Sequence, residues 1–233
     1  MVNSKINQEQ SLIVLERKLS LCALEKELTA LTRMPEGEIN LFEILKIDKE
    51  AQLSTLLAHL FNWGNKVSVG DRFLNDFIML TLGRPFMVGS DYDVSVEVHV
   101  TDEARVKARR PDIVIESDEK VICVENKIHP SASRQRQIQE TVNYIINKKD
   151  WLEKRKAYLY LAPRTDKQWL LDETEETSAR YGKQCVVKQV YWSSLVGLLD
   201  KYLRIVPRDT RLHFVLSDLL ITIEKEIDND NQR

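Results

Sequence analysis

Two carboxylates and a lysine, Asp112, Glu125 and Lys127, are spaced so that a simple strand hairpin would bring them together. In PDIVIESDEKVICVENK, residues 111–127, two apolar β-branched runs flank a polar turn, the pattern of paired strands. Centring that turn on Asp118-Glu119 sets opposite one another residues whose numbers sum to 237, so Asp112 faces Glu125. This holds for a two-residue loop and for the four-residue loop SDEK; Asp-Glu is not a favoured two-residue pair, so the longer loop is expected. Cross-strand partners lie roughly 5 Å apart at Cβ, and Lys127, on the same face as Glu125, lies about 7 Å along the strand. Like charges directly opposed destabilise a sheet, and buried charges are costly unless paired or ligating a metal. A hard divalent ion such as Mg2+ answers that cost, because it takes carboxylate oxygens and keeps several waters. A lysine beside it can orient or deprotonate a water, or steady negative charge on a phosphate. Together these groups are the means of metal-assisted phosphodiester hydrolysis. The competing reading is a structural salt bridge of Lys127 with Glu125 and Asp112 near a sheet edge.

The elements that must position these residues can be read from periodicity. Residues 8–33 form a long helix with Leu12, Leu15, Leu19 and Cys22 on one stripe and Leu21, Leu24, Leu28 and Leu31 on the next. This wide apolar face suits core packing, and a dimer seam is the alternative. MPEGEIN breaks the pattern. A second helix starts near Asp48, its N-cap, and turns Leu53, Leu56, Leu57, Leu60 and Phe61 inward. Glu50 lies in its first turn at the edge of that stripe, where the helix dipole favours a carboxylate. After the loop WGNKVSVGD, Asp71 caps a third helix that buries Phe73, Leu74, Phe77, Ile78 and Leu82 and stops at Gly83.

DVSVEVHV alternates, with Val94, Val96, Val98 and Val100 on one face and Ser95, Glu97 and His99 on the other. DIVIE and KVICVENKI are the next strands. SASRQRQIQETVNYIINKK is a helix capped by Ser131 or Ser133, with Ile138, Val142, Ile145 and Ile146 as its apolar stripe. KAYLYLAP and CVVKQVYW are further strands, and SSLVGLLDKYL and RLHFVLSDLLITIEKEI are closing helices. The order helices, three strands, helix, two strands, helices predicts one α/β domain over residues 1–233, with a mixed central sheet flanked by helices. Its parts are a helical N-terminal extension (8–85), a core (91–195) and C-terminal helices (196–228).

With 233 residues, 43% hydrophobic and 30% charged, the chain reads as a globular domain rather than a disordered one. A net charge of −2 excludes a globally basic nucleic-acid binder, so any such site must come from local clusters. Cys22, Cys123 and Cys185 are far apart and read as small core residues in a reducing compartment. MVNSKINQEQ has no apolar secretory segment, and no apolar run reaches membrane-spanning length, so the cytoplasm is the expected location. His59, His99, His129 and His213 have no zinc-ligand spacing, and no Walker loop, Rossmann fingerprint or serine-hydrolase elbow is present.

RRPDIVIE followed by VICVENKI resembles the core signature of the PD-(D/E)XK nuclease superfamily, the restriction-endonuclease-like fold. Pro111-Asp112 matches the first half and Glu125-Asn126-Lys127 the second. INLFEILKIDKEAQLSTLLAHLFNW and GDRFLNDFI resemble the helical N-terminal part of a bacterial branch, so the resemblance spans residues 39–195. It implies a restriction-endonuclease-like sheet and an Mg2+-dependent nuclease, with Mn2+ able to substitute. By position, Asp112 and Glu125 would ligate the metal, the Asn126 backbone carbonyl would add a ligand, and Lys127 would act on the attacking water. The branch also implies an upstream acid. Glu50 is preferred, with Glu97 a near-equal second choice, and each is otherwise a solvated or capping carboxylate. Gln137 matches a glutamine found on the later helix in many members and would act near the metal or on a phosphate; otherwise it is one of Gln135, Gln137 and Gln139 on a wet face.

This chain departs from the branch at Ile138 and Thr141, where Leu and Tyr are usual, and at Leu53, where His often precedes the serine matching Ser54. These changes concern substrate contacts more than the metal triad. Arg105, Lys107, Arg109 and Arg110 before Asp112, and Arg134 and Arg136 on the following helix, are candidate phosphate contacts. DNA is the substrate preferred over RNA on the resemblance alone, with a defence or DNA-processing role in a bacterium or phage by analogy. The rival is a non-catalytic module of the same fold that binds nucleic acid or a partner protein, with residues 8–33 the surface for a partner or a second copy.

Overall fold

The hairpin that carries the acidic pair is the centre of the sheet. A computed structural model describes residues 50–62, 70–89, 91–96, 111–128, 134–164 and 168–224. Strand β2 (Ile113–Glu116) pairs antiparallel with β3 (Lys120–Asn126). Ile113 faces Val124 and Val114 faces Cys123, the register in which residue numbers sum to 237. The Ser117 N–H donates to the Lys120 carbonyl at 2.9 Å and β3 already begins at Lys120, so the turn is tighter than the four-residue loop the sequence suggested.

On one side β1 (Asp93–Val96) runs antiparallel to β2; on the other, β4 (Arg155–Ala162) and β5 (Cys185–Tyr191) continue parallel from β3. The sheet is therefore mixed, five strands in the order β1-β2-β3-β4-β5, as expected for a restriction-endonuclease-like α/β fold. Helices cover both faces, numbered among the described residues: α1 (Glu50–Asn62), α2 (Gly70–Thr81), α3 (Gln137–Asn147), α4 (Gln168–Tyr181), α5 (Ser193–Ile205) and α6 (Arg211–Thr222). One face of the sheet packs on α1, α2, α5 and α6, through Leu53, Leu57, Phe77, Leu199 and Leu219. The other packs on α3 and α4, through Ile138, Val142, Ile145 and Leu170.

Burial on both faces explains the apolar run in β3. Val121, Ile122, Cys123 and Val124 are fully buried. Each large apolar side chain so buried contributes about 1.5–3 kcal/mol, which offsets the several kcal/mol needed to bring a charge out of water at the strand end. Cys123 and Cys185 are free and buried, and burial raises both thiols, Cys185 to about 12. They are core residues, as the sequence suggested.

Helix α4 corrects the sequence reading, which ran β4 directly into β5. Parallel neighbours need a crossover of a dozen or more residues, and α4 supplies it. Its apolar signal is weak because its buried residues are only Leu170, Thr174 and Thr177. Its clearest mark is Gly182, just past the end, where an added Cβ would stand 2.5 Å from the Ser178 carbonyl oxygen. Two boundaries also shift. Helix α2 begins at Gly70, so Asp71 lies in its first turn rather than capping it. Helix α3 begins at Gln137, too far along the chain for Ser131 or Ser133 to cap it. Glu173 of α4 does so, accepting from the backbone N–H groups of Arg136, Ile138 and Gln139. The helix expected over 8–33 lies outside the described residues, as do Asp48, Glu97, Arg105, Lys107, Arg109 and Arg110.

Candidate active site

At the carboxyl end of β3 the chain leaves the sheet with Glu125, Asn126 and Lys127, which are 6%, 0% and 7% exposed. Glu125 pairs with Tyr160 on β4. Asp112 immediately precedes β2, which the hairpin register sets across from Glu125. The Asn126 N–H donates to Asp112 Oδ2 at 2.7 Å, so the hairpin's own backbone fixes this carboxylate.

Two helices on opposite faces reach the same strand end. Glu50, the first residue of α1, places Oε2 3.0 Å from Lys127 Nζ. The same ammonium lies 3.0 Å from Glu125 Oε1. From α3, Gln137 donates its Nε2–H to Glu125 Oε1 and is buried. Lys127 is held at its backbone as well. Its N–H donates to the Leu161 carbonyl at 2.8 Å, and the Trp192 indole N–H donates to its carbonyl at 3.0 Å.

The electrostatics follow from this crowding. Burial pushes the Asp112 carboxyl up, and the nearby charge of Glu125 adds to the effect; it reaches about 7. Burial alone would lower the Lys127 ammonium, but Glu125, Asp112 and Glu50 outweigh it and hold its proton more tightly than usual. Three carboxylates therefore share one ammonium, Glu50 and Glu125 by direct ion pairs and Asp112 through its nearby charge. One of their oxygens, Glu50 Oε1, is buried without a hydrogen-bond partner.

Hard oxygen donors, three carboxylates to one ammonium and an unpartnered buried oxygen suit a divalent cation. Among the described residues no group of three or more His, Cys, Asp or Glu side chains is arranged to hold a metal ion.

The structure thus gathers Asp112, Glu125, Asn126, Lys127, Glu50 and Gln137 at one strand end. Glu97 lies outside the described residues, and Glu50 contacts Lys127. Arg134 and Arg136 flank the start of α3 and are exposed. Arg134 is paired with Glu140 at 2.6 Å, while Arg136 takes a left-handed backbone, φ 64°. Sequence reasoning assigned no role to Ser54, Trp192 or Glu173. Ser54 stands one helical turn beyond Glu50, a spacing that could have marked it. Trp192 gives no local signal, and Glu173 belongs to the helix that was missed.

Compared with known families, residues 39–220 match the model of the PD-(D/E)XK nuclease superfamily. The match runs through α5 and into α6, beyond the span the sequence motifs suggested. No curated protein and no solved structure matches the chain.

Proposed function

The chain belongs to the PD-(D/E)XK nuclease superfamily, and from that premise and its site we propose that it is a metal-dependent nuclease hydrolysing phosphodiester bonds, with DNA as substrate. Asp112, Glu125, Glu50 and the backbone carbonyl of Asn126 would hold Mg2+, with Mn2+ able to substitute. A metal bound there would polarise a phosphoryl oxygen and make its water more acidic.

The chain's own residues do the rest. Lys127 keeps its proton at neutral pH, because three carboxylates surround it. Of the roles open to a lysine here, this favours an ammonium that orients water and steadies charge on the phosphate over a base that removes the water's proton. Gln137 fixes the Glu125 carboxylate from the other face of the sheet. Arg105, Lys107, Arg109, Arg110, Arg134 and Arg136 are the candidate phosphate contacts, giving salt-sensitive affinity without base readout. Among the described residues no helix is long and apolar enough to cross a membrane; we place the protein in the cytoplasm, in bacterial or phage defence or in DNA processing.

The observation that carries this reading is that Glu50 and Glu125 both meet one buried ammonium at 3.0 Å, with the charge of Asp112 nearby. A structural salt bridge needs one carboxylate, and the second and third add only repulsion unless a cation joins them. Thermal melts with Mg2+, Mn2+ and EDTA test it. A metal at about 100 times its Kd should stabilise the native state by about 2.7 kcal/mol, and Asp112→Asn should abolish the gain. Melting that ignores both metals would instead favour a catalytically inactive module of the same fold.

A further inference from the structure

Asn126 stands between the two charged residues of the strand end, yet its carboxamide contacts the opposite side, where α1 packs. It is fully buried. Its Nδ2–H groups donate to the Glu50 carbonyl and to Ser54 Oγ, each at 3.1 Å. Ser54 Oγ–H in turn donates to the same Glu50 carbonyl at 2.8 Å. The backbone N–H of Asn126 meanwhile donates to Asp112 Oδ2. One residue therefore touches, through different atoms, the helix end that carries Glu50 and the carboxylate of Asp112.

A first helical turn is where a helix frays most easily. The Glu50 side chain, reaching Lys127 from that turn, can hold its place only if the turn is tethered. The tether here is internal to the protein: a buried amide and a buried hydroxyl converge on one carbonyl, and the hydroxyl acts as donor and acceptor at once.

We propose that the Asn126 carboxamide and Ser54 are positioning residues that hold the first turn of α1, and with it Glu50, at Lys127. The consequence for catalysis rests on the nuclease reading; the positioning itself does not.

Two readouts separate them. Amide hydrogen exchange along α1 needs no activity. Exchange of the amides that bond back to the first-turn carbonyls, from Ser54 onward, should rise about tenfold in Asn126→Ala, the effect of losing a buried hydrogen bond, and less in Ser54→Ala, while the last turn stays unchanged. Ser54→Ala leaves a small, helix-favouring residue, so it reports even if Asn126→Ala does not fold. In cleavage kinetics each variant should lower kcat at unchanged KM, and Asn126→Ala should add no further loss in a Glu50→Gln background. Unchanged exchange, or a uniform rise along α1, overturns the positioning. Full additivity with Glu50→Gln also overturns it. A wild type that does not cut sinks the nuclease reading alone, and exchange still decides the positioning.

Discussion

Replacing Asp112 with asparagine should make the metal-free protein more stable above neutral pH. The Asp112 carboxyl is raised from its ordinary 3.8 to about 7, by burial first and by Glu125 second. A tenfold change in proton affinity is worth about 1.4 kcal/mol, so the ionised form costs the folded state up to roughly 4 kcal/mol, or about half that once the site relaxes. The direction follows from proton binding. Between about pH 4 and pH 7 the folded protein holds a proton that the unfolded chain releases, so stability falls as pH rises through this window. Asparagine removes the charge and keeps an oxygen for the Asn126 N–H.

At about pH 8 in EDTA the variant should therefore be more stable by roughly 2–4 kcal/mol, and the difference should vanish near pH 4. For a chain of this size that is a rise in Tm of roughly 5–15 °C, read by melts of both proteins across the pH range. Equal or lower stability of Asp112→Asn at pH 8, or parallel pH profiles, would refute the argument. A stabilised but inactive variant would show that the acidic pair is kept for chemistry rather than for folding.

Lys127→Met removes the ammonium shared by Glu50 and Glu125; breaking a buried pair costs about 3–5 kcal/mol, and a loss under about 1 kcal/mol in urea denaturation would contradict the buried-site electrostatics. Glu173→Ala strips the cap from the amides of Arg136, Ile138 and Gln139; a loss of about 1–2 kcal/mol is expected, with increased exchange in the first turn of α3, and protection there that matches the wild type would show that the cap is not the one described.

Much of the site was legible in the sequence because a hairpin obeys a strict arithmetic. Once a polar turn is fixed between two β-branched runs, period-two pairing dictates which residues meet. That is why Asp112, Glu125 and Lys127 came together before any coordinates. Glu50 was legible for a weaker reason, a carboxylate at the inward edge of an amphipathic helix; what the sequence could not provide was the distance between α1 and β3, which packing across the sheet sets. Helix α4 escaped because its burial rests on two threonines and one leucine. A helix that packs so little apolar surface has hardly any periodic signal, and its need was visible only in the parallel pairing of β4 with β5. The cap from Glu173 and the bond from Trp192 to Lys127 are long-range contacts, and no local pattern encodes them.

The most direct test of the central claim is a cleavage assay of wild type, Asp112→Asn and Lys127→Ala on plasmid, linear and single-stranded DNA and on RNA, with Mg2+, Mn2+ or EDTA. The account predicts metal-dependent cutting of DNA by the wild type and its loss in both variants. No cutting by the wild type with either metal, or cutting by the variants at the wild-type rate, would contradict it.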